Sequence, residues 1–159
     1  MVAQPINMEQ VLNQAIHREE IAHSFYTNLI TIVEDKVSKD TLLYMANEDE
    51  ELKHKEFLEK YKRGELEGRS LNLKMVVDGK VVEALGPPEI TERLEHKDIF
   101  LIAAEREKAS HEFYTKLAAL QPEGELKRLL LKLAQEELAH KEKAEYLYCN
   151  AAFPQTDGG

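Results

Sequence analysis

Apolar residues recur at three- and four-residue spacing in four stretches of the chain, the period of an amphipathic helix. The first begins after Asn7, an N-cap with Gln10 three residues on as its capping-box partner, and runs to about residue 34. Its stripe is Leu12, Ala15, Ala22, Tyr26, Leu29 and Val33. The second, over about 38–63, carries Tyr44, Leu58 and Tyr61 and meets a natural stop at Gly64. The third, over about 96–121, aligns Phe100, Ala103, Tyr114 and Leu117 before the break at Pro122 to Gly124. The fourth runs over about 125–150 with Leu126, Leu130, Leu133, Ala144 and Leu147.

Connection lengths then order the helices. Only a few residues separate the first from the second and the third from the fourth, so each pair predicts an antiparallel hairpin. The segment over about 64–95 is long enough to travel the length of a bundle and begin again at the far end. An all-α, antiparallel four-helix bundle with one long crossover follows. Within the crossover, Asp78-Gly79 lies between pairs of valines, the signal of a tight β-hairpin, and predicts a short two-stranded ribbon against the bundle or a second subunit. The expected organisation is one domain over 1–150 and a flexible tail over 151–159.

The gaps in the apolar stripes are filled by polar residues. Continuing the first stripe from Ala15 to Ala22 lands on Glu19, and the third, from Ala103 to Tyr114, on Glu107 and then Ser110. In the second and fourth stripes the same operation gives Glu51 with His54 and Glu137 with His140. A buried carboxylate is costly, and four are untenable without a compensating cation. Residues at i and i+3 share a helix face, so each Glu-x-x-His presents an oxygen and a nitrogen to one point.

Three of the six histidines have Glu three positions earlier, where composition alone supplies about one, so a single Glu-x-x-His says little. Glu20 with His23 is read as the chance instance, because Glu20 lies off the stripe. The internal repeat carries more weight. A shift of 88 residues lays "HSFYTNL" on "HEFYTKL" and Glu19 on Glu107, and a shift of 86 lays Glu51 and His54 on Glu137 and His140. Two related hairpins each contribute one Glu and one Glu-x-x-His. Four carboxylates and two imidazoles exceed a tetrahedral zinc site and suit two harder redox ions, iron first and manganese or a mixed pair second. Glu51 and Glu137 are expected to bridge the ions, with His54 and His140 terminal.

Composition removes other classes. A net charge of −9 with no basic patch argues against nucleic acid, and no segment nears the length of a membrane span. The start of the chain lacks the charged and apolar blocks of a signal peptide, so the expected location is cytoplasmic. Cys149 is the only cysteine and is read as a packing residue.

The ligand set, one Glu on helices one and three and one Glu-x-x-His on helices two and four, resembles the ferritin-like di-iron carboxylate proteins. Tyr26 and Tyr114, each seven residues after a stripe Glu, bring it closest to the rubrerythrin-like group, over roughly residues 8–149. The resemblance implies that Glu19, Glu51, His54, Glu107, Glu137 and His140 bind two irons, with Tyr26 and Tyr114 orienting ligand carboxylates. It implies an oxidoreductase of oxidative stress, a peroxidase reducing hydrogen peroxide or dioxygen, and a homodimer; the alternatives are a ferroxidase or iron-sequestering protein and a metal-binding bundle without catalysis. Two departures stand out. The cysteines of a rubredoxin domain are missing, so a separate electron-donor protein is expected, and Ser110 occupies the place of a further Glu. His23 and His111, one turn beyond Glu19 and Glu107, are candidates for extra ligands or proton donors at the edge of the site.

Overall fold

A computed structural model describes residues 7–47, 50–65 and 77–153, apart from the side chains of 44–47 and 50–52. Six helices occur among them: α1 (Met8–Ile30), α2 (Lys36–Asn47), α3 (Glu50–Lys62), α4 (Val81–Leu85), α5 (His96–Ala119) and α6 (Glu125–Ala152). The expected second helix is thus represented by α2 and α3. The last helix continues to Ala152, two residues into the segment expected to be a tail.

Local chemistry sets the boundaries. Asn7 accepts from the Gln10 backbone at 2.8 Å while the Gln10 side chain accepts from the Asn7 backbone at 3.1 Å, the reciprocal cap expected from sequence. Asp35 opens α2 by accepting from both the backbone and the hydroxyl of Ser38. Gly64, at φ +75°, ends α3: its N–H donates to the Tyr61 carbonyl and that of Glu65 to the Lys60 carbonyl. A residue with a Cβ would be strained in that left-handed turn.

α1 packs along α2 and α3, and α5 along α6, so the two hairpins of the bundle are present. The stripe read from α1 is buried throughout, with Leu12, Ala15, Ala22, Tyr26, Leu29 and Val33 all at most 3% exposed. The core falls into two apolar clusters. One holds Tyr26, Leu29, Leu42, Ile99 and Ala103, the other Leu12, Leu58, Tyr114, Leu130 and Leu133. Where α1 meets α5 the guanidinium of Arg18 lies over Phe113 at 5.7 Å from the ring centre, and that of Arg106 over Phe25 at 4.3 Å. Arg18 and Phe25 map onto Arg106 and Phe113 under the 88-residue shift, so each hairpin contacts the other through the same pair.

The expected β-ribbon in the crossover is not formed. Val81 and Val82, assigned to its second strand, begin helix α4, and there is no strand among the described residues; Met75 and Val76 lie outside them. A type I′ turn needs positive φ at both central residues. Here Lys80 alone takes the left-handed conformation, at φ 52°, and neither Asp78 nor Gly79 does. Contacts made by α6 decide the outcome. Glu145 accepts the Val82 backbone N–H at 2.7 Å, and Lys141 donates to Asp78 at 2.5 Å, to Glu83 at 3.1 Å and to Glu145 at 3.0 Å. With Val82 buried against the core, one capped helical turn is favoured over a lone ribbon that is marginal in water.

Candidate metal centre

The carboxylates read from the stripes face one another inside the bundle. Glu19 on α1 is 2% exposed, Glu107 on α5 5% and Glu137 on α6 1%, while His54 on α3 is 5% exposed. His140 on α6 is half-buried. Glu51 lies on α3, and its side chain is outside those described.

The imidazoles of His54 and His140 stack with ring centres 5.7 Å apart and planes 17° from parallel, each with Nδ1 turned to the carboxylates. Nδ1 of His54 lies 3.1 Å from Glu137 Oε1 and 3.5 Å from Glu19 Oε1. Nδ1 of His140 lies 3.7 Å from both Glu107 Oε2 and Glu137 Oε2. Two groups of potential ligand atoms result, Glu19 with His54 and Glu137, and Glu107 with Glu137 and His140. Within each group the atoms lie within 4.8 Å of one another. Glu137 belongs to both, offering one oxygen to each side.

Electrostatics show how far this arrangement is from balance when only protons serve as cations. Burial, reinforced by the neighbouring Glu137, raises Glu107 well above the usual carboxylate range. Burial would raise Glu137 as well, yet interactions with Glu107, His140 and His54 hold it low. Burial opposes charge on His140, but Glu107 and Glu137 push it up to about 11. Burial likewise opposes charge on His54, and hydrogen bonds with Glu136, Glu137 and Glu19 overcome it, raising the group well above its ordinary value. Oε2 of Glu107 and Oε2 of Glu137 are buried and accept no hydrogen bond among the described residues. An oxygen-rich set with two imidazoles and orphaned lone pairs fits a pair of hard or borderline divalent ions.

The surroundings orient these groups. Tyr114, fully buried on α5, donates its hydroxyl to Glu19 Oε1 across the seam between the hairpins. Burial and the Glu19 charge push this phenol well above its usual value, so it acts as a donor and stays protonated. Tyr114→Phe removes that donor and is expected to cost roughly 1–2 kcal/mol of stability in urea denaturation. An unchanged midpoint would show that Glu19 needs no donor there. Tyr26, its counterpart in the repeat, is 1% exposed on α1.

Glu136 is a contributor that the stripe analysis did not single out. Its Oε2 lies 2.7 Å from His54 Nε2, and its side chain is 36% exposed. By holding the proton on Nε2 it leaves Nδ1 of His54 as the donor atom facing Glu19 and Glu137. Its position immediately before Glu137, at the margin of the buried face, was the available signal. Beside this pair a pocket of about 220 Å³ opens, lined by Phe57, Leu133, Lys53 and Lys132 as well. His111 donates from Nδ1 to the Ala134 carbonyl, 2.7 Å away, and neither it nor His23 joins the two groups among the described residues. Ser110 is 6% exposed, one turn beyond Glu107.

Fold and site together define a helical bundle with a buried Glu/His cluster able to bind metal. The rubrerythrin family matches residues 10–148, and the chain belongs to that family. Neither the curated proteins nor the solved structures gave a significant match. No helix among the described residues is long and apolar enough to cross a membrane.

Proposed function

We propose that this protein is a di-iron oxidoreductase that reduces hydrogen peroxide or dioxygen inside the bundle. The observation that carries the reading is Glu137, buried at 1% exposure with an oxygen in each of the two ligand groups, the placement a carboxylate needs to serve two ions at once. Glu19, His54 and Glu137 would hold one ion and Glu107, Glu137 and His140 the other, with Glu51 of α3 as a further ligand. Conversion of one peroxide to two waters takes two protons and two electrons, the latter supplied by the Fe(II) pair when bound.

The chain's own groups perform the remaining tasks. Tyr114 fixes Glu19, and Glu136 fixes the tautomer of His54. Leu133 and Phe57 line the pocket beside His54 through which a small oxidant reaches the cluster, while the buried stripes exclude bulk water and larger molecules. Reducing equivalents come from a separate donor protein. Anaerobic loading with Fe(II), then stopped-flow spectroscopy after hydrogen peroxide or dioxygen, tests the reading. Two Fe(II) per chain and an oxidation at least tenfold faster than that of Fe(II) in buffer are expected; a rate equal to free iron with both oxidants would sink it.

A further inference from the structure

The internal repeat fails at one functionally placed position, and the crossover fills the gap. Under the 86-residue shift Lys55 on α3 maps onto Lys141 on α6, and Glu59 onto Glu145; under the 88-residue shift Glu20 on α1 maps onto Lys108 on α5. In the first half the lysine finds its acid on the neighbouring helix, with Lys55 Nζ 3.0 Å from Glu20 Oε1 and the two side chains 31% and 48% exposed. The same pairing is impossible in the second half, where two lysines face each other. Glu83, from α4 of the crossover, is inserted between them, 3.1 Å from Lys141 Nζ and 3.8 Å from Lys108 Nζ.

Lys108 and Lys141 directly follow Glu107 and His140, which belong to one ligand group. Glu83 therefore ties α5 to α6 at the level of that group. The tie is reinforced: Lys141, 1% exposed, also reaches Asp78 and Glu145, and Glu145 holds the start of α4 through the Val82 N–H. At the corresponding level of the first half, among the described residues, α1 and α3 are joined by the Lys55–Glu20 pair, with no residue from the crossover set between them, and the solvent pocket opens beside its histidine, His54; the contacts of Lys62 with Glu9 and Asn13 lie two turns further along α3. A single solvent-accessible pair contributes little, whereas a buried, multiply bonded lysine resists separation of the elements it joins.

We propose that the crossover is a clamp on the second half of the metal centre, so that the position formed by Glu107, Glu137 and His140 exchanges its ion slowly and the position at Glu19, His54 and Glu137 exchanges fast. The inference rests on the metal-binding reading above. Release of an ion requires its ligands to part, and parting α5 from α6 here means breaking the bonds of Glu83 and Lys141 together, a higher local opening energy than in the first half.

Cobalt(II) is the probe, because its absorption follows occupancy without turnover. Protein loaded with two Co(II) and challenged with excess EDTA is expected to lose them in two phases of equal amplitude. His54→Ala should abolish the fast phase and His140→Ala the slow one. Glu83→Gln should accelerate the slow phase at least tenfold, as should Lys141→Met, with Lys141→Arg restoring it; Lys55→Met should leave it unchanged. Glu83 is partly exposed, so its variant keeps the test open if Lys141→Met does not fold. Release of both ions in a single phase, or a slow phase indifferent to Glu83→Gln, overturns the clamp alone. Wild type that takes up no cobalt overturns the metal-binding reading and the clamp with it.

Discussion

Replacing Glu137 by alanine is expected to empty both metal positions at once, leaving less than one-tenth of an equivalent of iron where the di-iron reading proposed above expects two on the wild type. The expectation follows from its two oxygens, one facing His54 at 3.1 Å and the other facing His140 at 3.7 Å. Glu19→Ala or Glu107→Ala should be milder, since each acid belongs to one group only. The metal-free fold also suffers, because truncation strips the raised, buried imidazoliums of a shared counter-charge, a change worth roughly 3–5 kcal/mol. Glu137→Gln keeps the volume and one acceptor, and separates lost charge from lost packing. Metal analysis after anaerobic loading decides the matter: one ion retained at full occupancy in Glu137→Ala would show that the positions do not share this carboxylate.

The second large effect is in pH. Metal requires the imidazole lone pairs, yet without metal His140 stays protonated up to about pH 11 and His54 is also raised well above its ordinary value. Loading near neutrality therefore expels at least two protons, and apparent affinity should rise about a hundredfold per expelled proton between about pH 6 and pH 8. Calorimetry in buffers of different ionisation enthalpy measures this release; a value near zero would mean that the imidazoles are not ligands. The metal-free protein has its own pH signature. The folded value of His140 is raised from 6.5, so its contribution to stability is complete below about pH 6.5 and is lost as pH rises through about 11. Glu137 is lowered from 4.5, so its contribution is present above that value and disappears as pH falls.

What could be read in the sequence was whatever obeyed helical periodicity. Glu19 and Glu107 were found because each interrupts an apolar stripe, and the stripes of α1 and α5 are buried as drawn. His54, Glu137 and His140 followed from the same register and from the repeat. The crossover was misread because Asp78-Gly79 is a local signal, while the deciding groups, Lys141 and Glu145, lie more than sixty residues away on another helix. Glu136 escaped for a related reason. A residue one position from the stripe is 100° round the helix, and whether it points to water or to a neighbouring histidine depends on how closely α3 approaches.

The paired contacts of Arg18 with Phe113 and Arg106 with Phe25 give the seam between hairpins an approximate two-fold axis inside a single chain. Such a surface is isologous: what one hairpin presents, the other receives. The order in which the hairpins are joined is then immaterial to the seam, and the covalent link between them is free to specialise. In this protein the described part of the link bonds through Asp78 and Glu83 to Lys141 of the second half, and so marks one half off from the other.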